Sequence, residues 1–202
     1  MRVNRKSVSV IAGTATCVLV WGGVATAAVI NGTSQDDNLN GTNESDTIRG
    51  FRGDDRLSGR GGGDFVSGGA GEDRIFGDNG NDTLSGDLNN DVVRGGDDAD
   101  FVVGGRGRDT VSGQGGRDRV QGGLGDDLLQ GRASADTLRP GNGADFVLGG
   151  NGDDTVFVSV DGSAQTQSQP DFVDCGDGND TVVLGRGGLD PRDTFVNCEE
   201  FN

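Results

Sequence analysis

Histidine and tyrosine are absent from this 202-residue chain, and lysine, methionine and tryptophan each occur once. Without histidine there is no His-based nucleophilic pair and no metalloprotease helix, so those routes to catalysis are closed. Zinc is disfavoured for the same reason, since it favours imidazole and thiolate ligands. Proline and cysteine number three each, and aromatic residues make up only 5%. Positive charge is also scarce, with 17 basic residues against 33 acidic ones. Three of the 17 and none of the 33 lie in the first 27 residues. Such an acid excess argues against nucleic acid and anionic membrane surfaces as partners. It favours a cationic partner, of which a metal ion is the simplest. Hydrophobicity this low with charge this high ordinarily describes a disordered chain. What argues otherwise is the order in which the residues come.

Residues 1–27 read as a Sec-type secretory signal peptide. Arg2, Arg5 and Lys6 make the positive end, Val8 to Val24 the apolar run, and Ala25-Thr26-Ala27 the small residues ahead of a cleavage site. Cleavage is expected before Ala28, which sends the mature chain outside the cell and leaves no stable membrane insertion. No second long apolar run follows, which disfavours a pore-forming toxin.

The remainder is periodic. Gly68-Gly-Ala-Gly-Glu-Asp73-Arg-Ile75-Phe-Gly77-Asp-Asn-Gly80-Asn-Asp82-Thr-Leu84 holds two consecutive nine-residue words. Aspartates recur at every ninth residue from Asp37 to Asp154, fourteen in succession. Two residues after each stands an aliphatic side chain, from Leu39 to Val156 without exception. Four residues after each, twelve of the fourteen are glycine, the exceptions being Pro140 and Val158. A fixed short period of this kind means a solenoid. The aliphatic position lies in a three-residue strand with one side chain turned inward. The six residues before it turn sharply, as glycine allows. Two words make one coil of 18 residues with a strand on each side. The predicted fold is an all-β, right-handed parallel solenoid of about seven such coils over residues 28–158.

Stacking brings aspartates 18 residues apart next to one another, unneutralised, around a core of one aliphatic side chain per strand. A hard divalent cation resolves both the repulsion and the thin core. Calcium takes six to eight oxygen ligands, and carboxylates with glycine-turn carbonyls supply them. Asp36-Asp-Asn38-Leu-Asn40-Gly41 begins like an EF-hand loop, but Thr47 stands where the bidentate Glu belongs.

In these words the chain resembles the RTX, or hemolysin-type, calcium-binding repeat family. The resemblance runs from about Gly32 to Val158, with one further word near Asp180. It implies a parallel β-roll with several calcium ions held between turns of adjacent coils. The implied metal residues are Asp55, Asp64, Asp73, Asp82, Asp91, Asp100, Asp109, Asp118, Asp127, Asp136, Asp145, Asp154 and Asp180. Pairs implied by the family's rule include Asp55 with Asp73, Asp64 with Asp82, Asp109 with Asp127, and Asp127 with Asp145. The second glycine of the word is replaced at Gln35, Glu44, Asn89, Asp98 and Ser134. Those turns are expected to bind weakly, with the coil at 87–103 the weak joint. Arg108 and Arg117 stand just before site aspartates, where they either lower occupancy or point to solvent.

After Val158 the register breaks. Residues 159–170, polar and rich in Gln and Ser, read as a surface loop. The step from Asp154 to Asp171 is one short of a coil. Residues 171–202 read as a terminal repeat and cap, with Phe195, Val196 and Phe201 covering the last apolar coil. Cys175 and Cys198 are the only cysteines beyond the leader, and in an exported protein they are expected to form a disulfide.

The function these features support is a secreted, non-enzymatic protein in which calcium is structural and drives folding outside the cell. The alternative is a calcium-dependent adhesive or surface-structural protein with a cell-surface or polysaccharide partner. No unbroken threonine row appears after the aspartates, which disfavours ice binding.

Overall fold

A computed structural model describes residues 27–158, 170–185 and 191–202. The leader up to residue 26 and nearly all of the 159–170 loop lie outside the described residues. Those described form strands and turns, with no helix among them.

The strands stack in two wholly parallel sheets, one of ten strands and one of nine, and successive strands alternate between the two. This is the predicted solenoid, with about nine turns rather than seven. The extra turns come from both ends. Val29–Asn31 pairs with Thr47–Arg52 ahead of the first regular word. Beyond the loop, Phe172–Asp177, Thr181–Leu184, Thr194–Val196 and Glu200–Phe201 continue the two sheets.

Strands are also longer than three residues. From Thr47–Arg52 to Phe146–Asn151 each is six residues long. The ladder has a gap at the glycine four residues after each aspartate. Arg49 pairs with Ser67 and Phe51 with Gly69, but Gly50 pairs with nothing. The chain turns a corner at this buried glycine and resumes pairing beyond it. End strands are shorter: Val29–Asn31, Asn38–Asn40 and Thr194–Val196 have three residues and Glu200–Phe201 two.

The core is one aliphatic per strand, in two facing columns. Ile48 lies beside Val66 and Val66 beside Leu84 in one sheet, while Leu57 lies beside Ile75 in the other. From Ile48 to Val156 these residues are fully buried. Each contributes roughly 1.5–3 kcal/mol of apolar burial.

The loop after Val158 is an insertion, not a one-residue deletion. Asp145 N–H donates to Asp171 Oδ1 (3.0 Å) and Asp154 N–H to Asp180 Oδ1 (2.7 Å), each across 26 residues where 18 is the rule. Asp171 therefore succeeds Asp145, not Asp154, and the alternation of strands survives. Cys175 takes the corner position of its word and bonds to Cys198, with 5.2 Å between the α-carbons. Phe195 and Cys198 pack against the end of the core, and Phe201 meets Phe195 edge-on at 5.4 Å. Val196 and Phe201 both remain exposed, so the cap is narrower than the sequence suggests.

Candidate metal-binding turns

Every aspartate implied as a metal residue lies buried at the entrance to a strand. Asp55, Asp73, Asp91, Asp109, Asp127 and Asp145 line one long edge of the solenoid. Asp64, Asp82, Asp100, Asp118, Asp136, Asp154 and Asp180 line the other.

Each carboxylate fastens two coils together. Asp73 Oδ1 accepts the Asp55 N–H at 2.8 Å, and Asp73 N–H donates to Asp91 Oδ1 at 2.8 Å. The same bond joins Asp64 to Asp82, Asp109 to Asp127 and Asp127 to Asp145, at 2.7, 2.8 and 2.9 Å. The four predicted pairs are thus nearest neighbours along their edges.

The other oxygen is different. At Asp55, Asp64, Asp73, Asp82, Asp91, Asp100, Asp109, Asp118, Asp127, Asp136, Asp154 and Asp180, Oδ2 is buried with no hydrogen-bond partner. A buried carboxylate oxygen without a partner is costly, and proteins rarely tolerate even one. The corner glycine supplies the space beside it. A methyl placed on Gly68 would collide with Asp73 Oδ2 and lie 2.9 Å from the Gly86 carbonyl oxygen. A methyl on Gly50 would collide with Asp55 Oδ2 and lie 2.6 Å from the Gly68 carbonyl oxygen. Carboxylate and carbonyl oxygens from adjacent coils therefore border one small space, which these corner glycines leave open. No three acidic or thiol side chains converge on a point among the described residues. The donor set here is carboxylate plus backbone carbonyl, which suits a hard cation.

Electrostatics agree. The Asp91, Asp100 and Asp136 carboxyls are pushed up to about 8. Those of Asp55, Asp82 and Asp127 rise to about 7, and those of Asp64, Asp73, Asp118 and Asp154 to about 6. Asp109 and Asp180 move the same way. Burial is the largest cause throughout. The N–H bond from the coil before opposes it, and in most cases neighbouring carboxylates add to the rise. A bound cation favours the charged form and reverses this order.

The first two words are built otherwise. Asp37 Oδ2 accepts from the Thr33 N–H (2.6 Å) and Thr33 Oγ1 (2.9 Å). Asp46 Oδ2 accepts the Thr42 N–H (2.5 Å), and Thr42 Oγ1 donates to Asp46 Oδ1 at 3.2 Å. Threonine thus satisfies these carboxylates from within the turn, four residues before each. Phe51, Arg60, Asp78 and Asp87, at the equivalent place in later words, adopt positive φ instead. Gln35 and Glu44 belong to these threonine turns, so their lack of glycine marks a different turn type. Asn89, Asp98 and Ser134 are another matter: they keep φ of 79°, 74° and 79°, the left-handed conformation of the glycine they replace. The 87–103 coil accordingly keeps the same turn shape and the same orphaned oxygens at Asp91 and Asp100.

Arg108 turns outward and pairs with Asp126 at 3.4 Å, clear of Asp109. Three further acids extend the edges beyond the predicted set. Asp171 N–H donates to Asp193 Oδ1 (3.0 Å) and Asp180 N–H to Glu199 Oε2 (2.9 Å). Asp171, Asp193 and Glu199 break the nine-residue count, but each still stands two residues before an apolar one, at Val173, Phe195 and Phe201. That acid-to-apolar spacing was the signal available in the sequence.

The family model of the RTX calcium-binding nonapeptide repeat (4 copies) matches residues 31–66, 58–93, 94–129, 112–147, 121–156 and 166–188. No curated protein sequence matches the chain. With the repeat model covering well over half of its length, the chain belongs to the RTX calcium-binding nonapeptide-repeat family, whose arrays bind several Ca2+ ions.

Proposed function

We propose that this is a secreted calcium-binding β-roll in which the ions are structural and drive folding once the chain has left the cell. RTX proteins are generally secreted or extracellular, and their β-solenoid is a calcium-binding structural fold rather than a typical enzyme. The observation that carries the reading is the double row of buried Oδ2 atoms without partners. Asp55, Asp64, Asp73, Asp82, Asp91, Asp100, Asp109, Asp118, Asp127, Asp136, Asp145, Asp154 and Asp180 hold the ions, aided by carbonyls of the glycine corners. The cation supplies positive charge and oxygen coordination where the chain offers no donor. Extracellular calcium sites bind in the millimolar range, which ties folding to arrival outside. The sequence has no histidine for a histidine-based catalytic arrangement, and its described residues are taken up by the solenoid, which supports a role without catalysis.

Export through a cleaved leader has its own support. The Ala28 N–H donates to Asp46 Oδ1 at 2.5 Å, so the residue where cleavage is expected is already tied into the ladder of inter-coil bonds. The Cys175–Cys198 disulfide fits an oxidising exterior.

The test is a calcium titration of the protein at pH 7.5, followed by far-UV circular dichroism, with magnesium as the control. Strand signal should rise with calcium and not with magnesium. Full strand signal in chelator at that pH would sink the claim that calcium drives folding.

A further inference from the structure

Acid lines the edges of the solenoid, while both broad faces carry arginine, and on the nine-stranded sheet three of them cluster. The nine-stranded sheet turns Arg56 and Ser58, Arg74 and Phe76, and Val92 and Arg94 outward from three consecutive strands. Arg56 lies directly opposite Arg74, Ser58 opposite Phe76, and Phe76 opposite Arg94. The Phe76 ring is bracketed by two guanidinium groups, with Cζ of Arg56 4.6 Å and Cζ of Arg94 5.7 Å from its centroid. All three arginines are exposed, and none makes an ion pair among the described residues. Ahead of the corner, no strand of this sheet from Asn38 to Asn151 turns an acid outward. Asp78 leans in from its turn and is engaged by the Ser58 hydroxyl at 2.6 Å.

Strands disfavour aspartate, which accounts for missing acid but not for arginine set against arginine. Like charges directly opposite one another destabilise a sheet. In a chain with 33 acids, an unneutralised arginine pair beside a third arginine calls for an external anion. Resting on the extracellular reading above, we propose that Arg56, Arg74 and Arg94, arranged about Phe76, bind the carboxylates of a linear acidic polysaccharide. Guanidinium forks pair with carboxylates in bidentate fashion, and the Phe76 ring holds the Arg56 and Arg94 guanidinium groups in place for it. The basic strip is about 10 Å across, three residues of strand. Asp54 and Glu72 border it on one side and Asp78 and Asp97 on the other. A single polyanionic chain lies within that strip, whereas a duplex nucleic acid meets the acidic rims. Backbone groups on this face are consumed by the sheet, so an extended peptide finds no ladder to join.

The experiment uses the calcium-loaded protein and fluorescently labelled hyaluronate oligosaccharides, with neutral dextran and polyglutamate alongside. Hyaluronate should bind and dextran should not. Arg56→Ser, Arg74→Ser and Arg94→Ser should each weaken binding about tenfold, the size of one lost charged hydrogen bond. Phe76→Ser should weaken it similarly, and Arg49→Ser, in the other sheet, should leave it unchanged. The free Arg74→Ser protein should melt no lower than the parent, because it sheds a like-charge contact. Hyaluronate binding no tighter than dextran, an equal loss in Arg49→Ser, or equal affinity for polyglutamate would each overturn the proposal. A lower melting point for Arg74→Ser would do the same, by making the arginine structural. Circular dichroism of the same samples separates this from the calcium reading: a variant that folds in calcium yet ignores hyaluronate refutes only the polysaccharide site.

Discussion

On the proposed reading, protons and calcium compete for the same carboxylates, and this fixes how the metal-free chain responds to pH. In the folded state, ten aspartates hold their carboxyls at about 6, 7 or 8, against 3.8 for an ordinary aspartate. A raised folded value means that the fold binds protons more tightly than the unfolded chain. Its contribution is full below about pH 3.8 and is lost as pH rises through 6 to 8. At pH 7 the three groups near 8 are mostly protonated, the three near 7 half so, and the four near 6 hardly. Metal-free folding at that pH therefore takes up about five protons, and each makes the folding constant fall about tenfold per pH unit. The assay is far-UV circular dichroism in chelator from pH 5 to 8.5, starting above the sequence pI of about 4.1 to limit precipitation. Strand signal should be present near pH 5 and vanish toward pH 8 in a transition much steeper than one carboxylate titration. With saturating calcium the signal should persist to pH 8.5. A chelated chain equally unfolded at both ends of the range, or equally folded, would refute the reasoning. In either case the buried carboxylates would not be what metal-free folding must accommodate.

Gly68→Ala should lower calcium affinity and destabilise the loaded fold by about 1–3 kcal/mol through overpacking. Its φ lies outside the left-handed region, so the methyl acts only on the oxygens of Asp73 and Gly86. Gly61→Ala, whose nearest neighbour is Asn43 Cα at 3.6 Å, should be tolerated, as thermal melts in calcium will show. Asp73→Asn should reduce the calcium stoichiometry measured by equilibrium dialysis, while Asp46→Asn should leave it unchanged, because Thr42 already satisfies Asp46. Thr42→Val should cost about 1–2 kcal/mol by removing two side-chain hydrogen bonds, again without changing the ion count. Cys198→Ser should destabilise the C-terminal coils by about 3 kcal/mol and raise the calcium needed to fold them. Hydrogen exchange resolved along the chain should place that loss after residue 170.

The array was legible because one physical rule repeats: a buried carboxylate two residues before a buried aliphatic, from Asp37–Leu39 to Asp154–Val156. Parity of cysteines gave the disulfide. The end coils escaped because their spacing is irregular. The 159–170 loop shifts the count by eight while leaving the strands in step, and arithmetic alone reads that as a deletion. The threonine turns escaped for a different reason. Gln35 and Glu44 register only as missing glycines until the Thr33 and Thr42 bonds to Asp37 and Asp46 are visible in three dimensions. Strand length was underread because glycine at a corner looks like a terminator, yet pairing resumes at Phe51 and Gly69.

The short strands at the two ends have a consequence for how such molecules behave in a crowd. Every interior coil offers its neighbour the same template, and a template of that kind has no intrinsic reason to stop. Among the described residues, Val29–Asn31 and Asn38–Asn40 at one end and Thr194–Val196 and Glu200–Phe201 at the other are only two or three residues long, against six along the body. A second molecule arriving end-on finds too few rungs to hold, since short edge strands blunt edge-to-edge growth. The rod is therefore a finite object in a family of shapes that otherwise tends toward fibres. Lengthening either terminal strand to six residues would remove the stop and invite filaments.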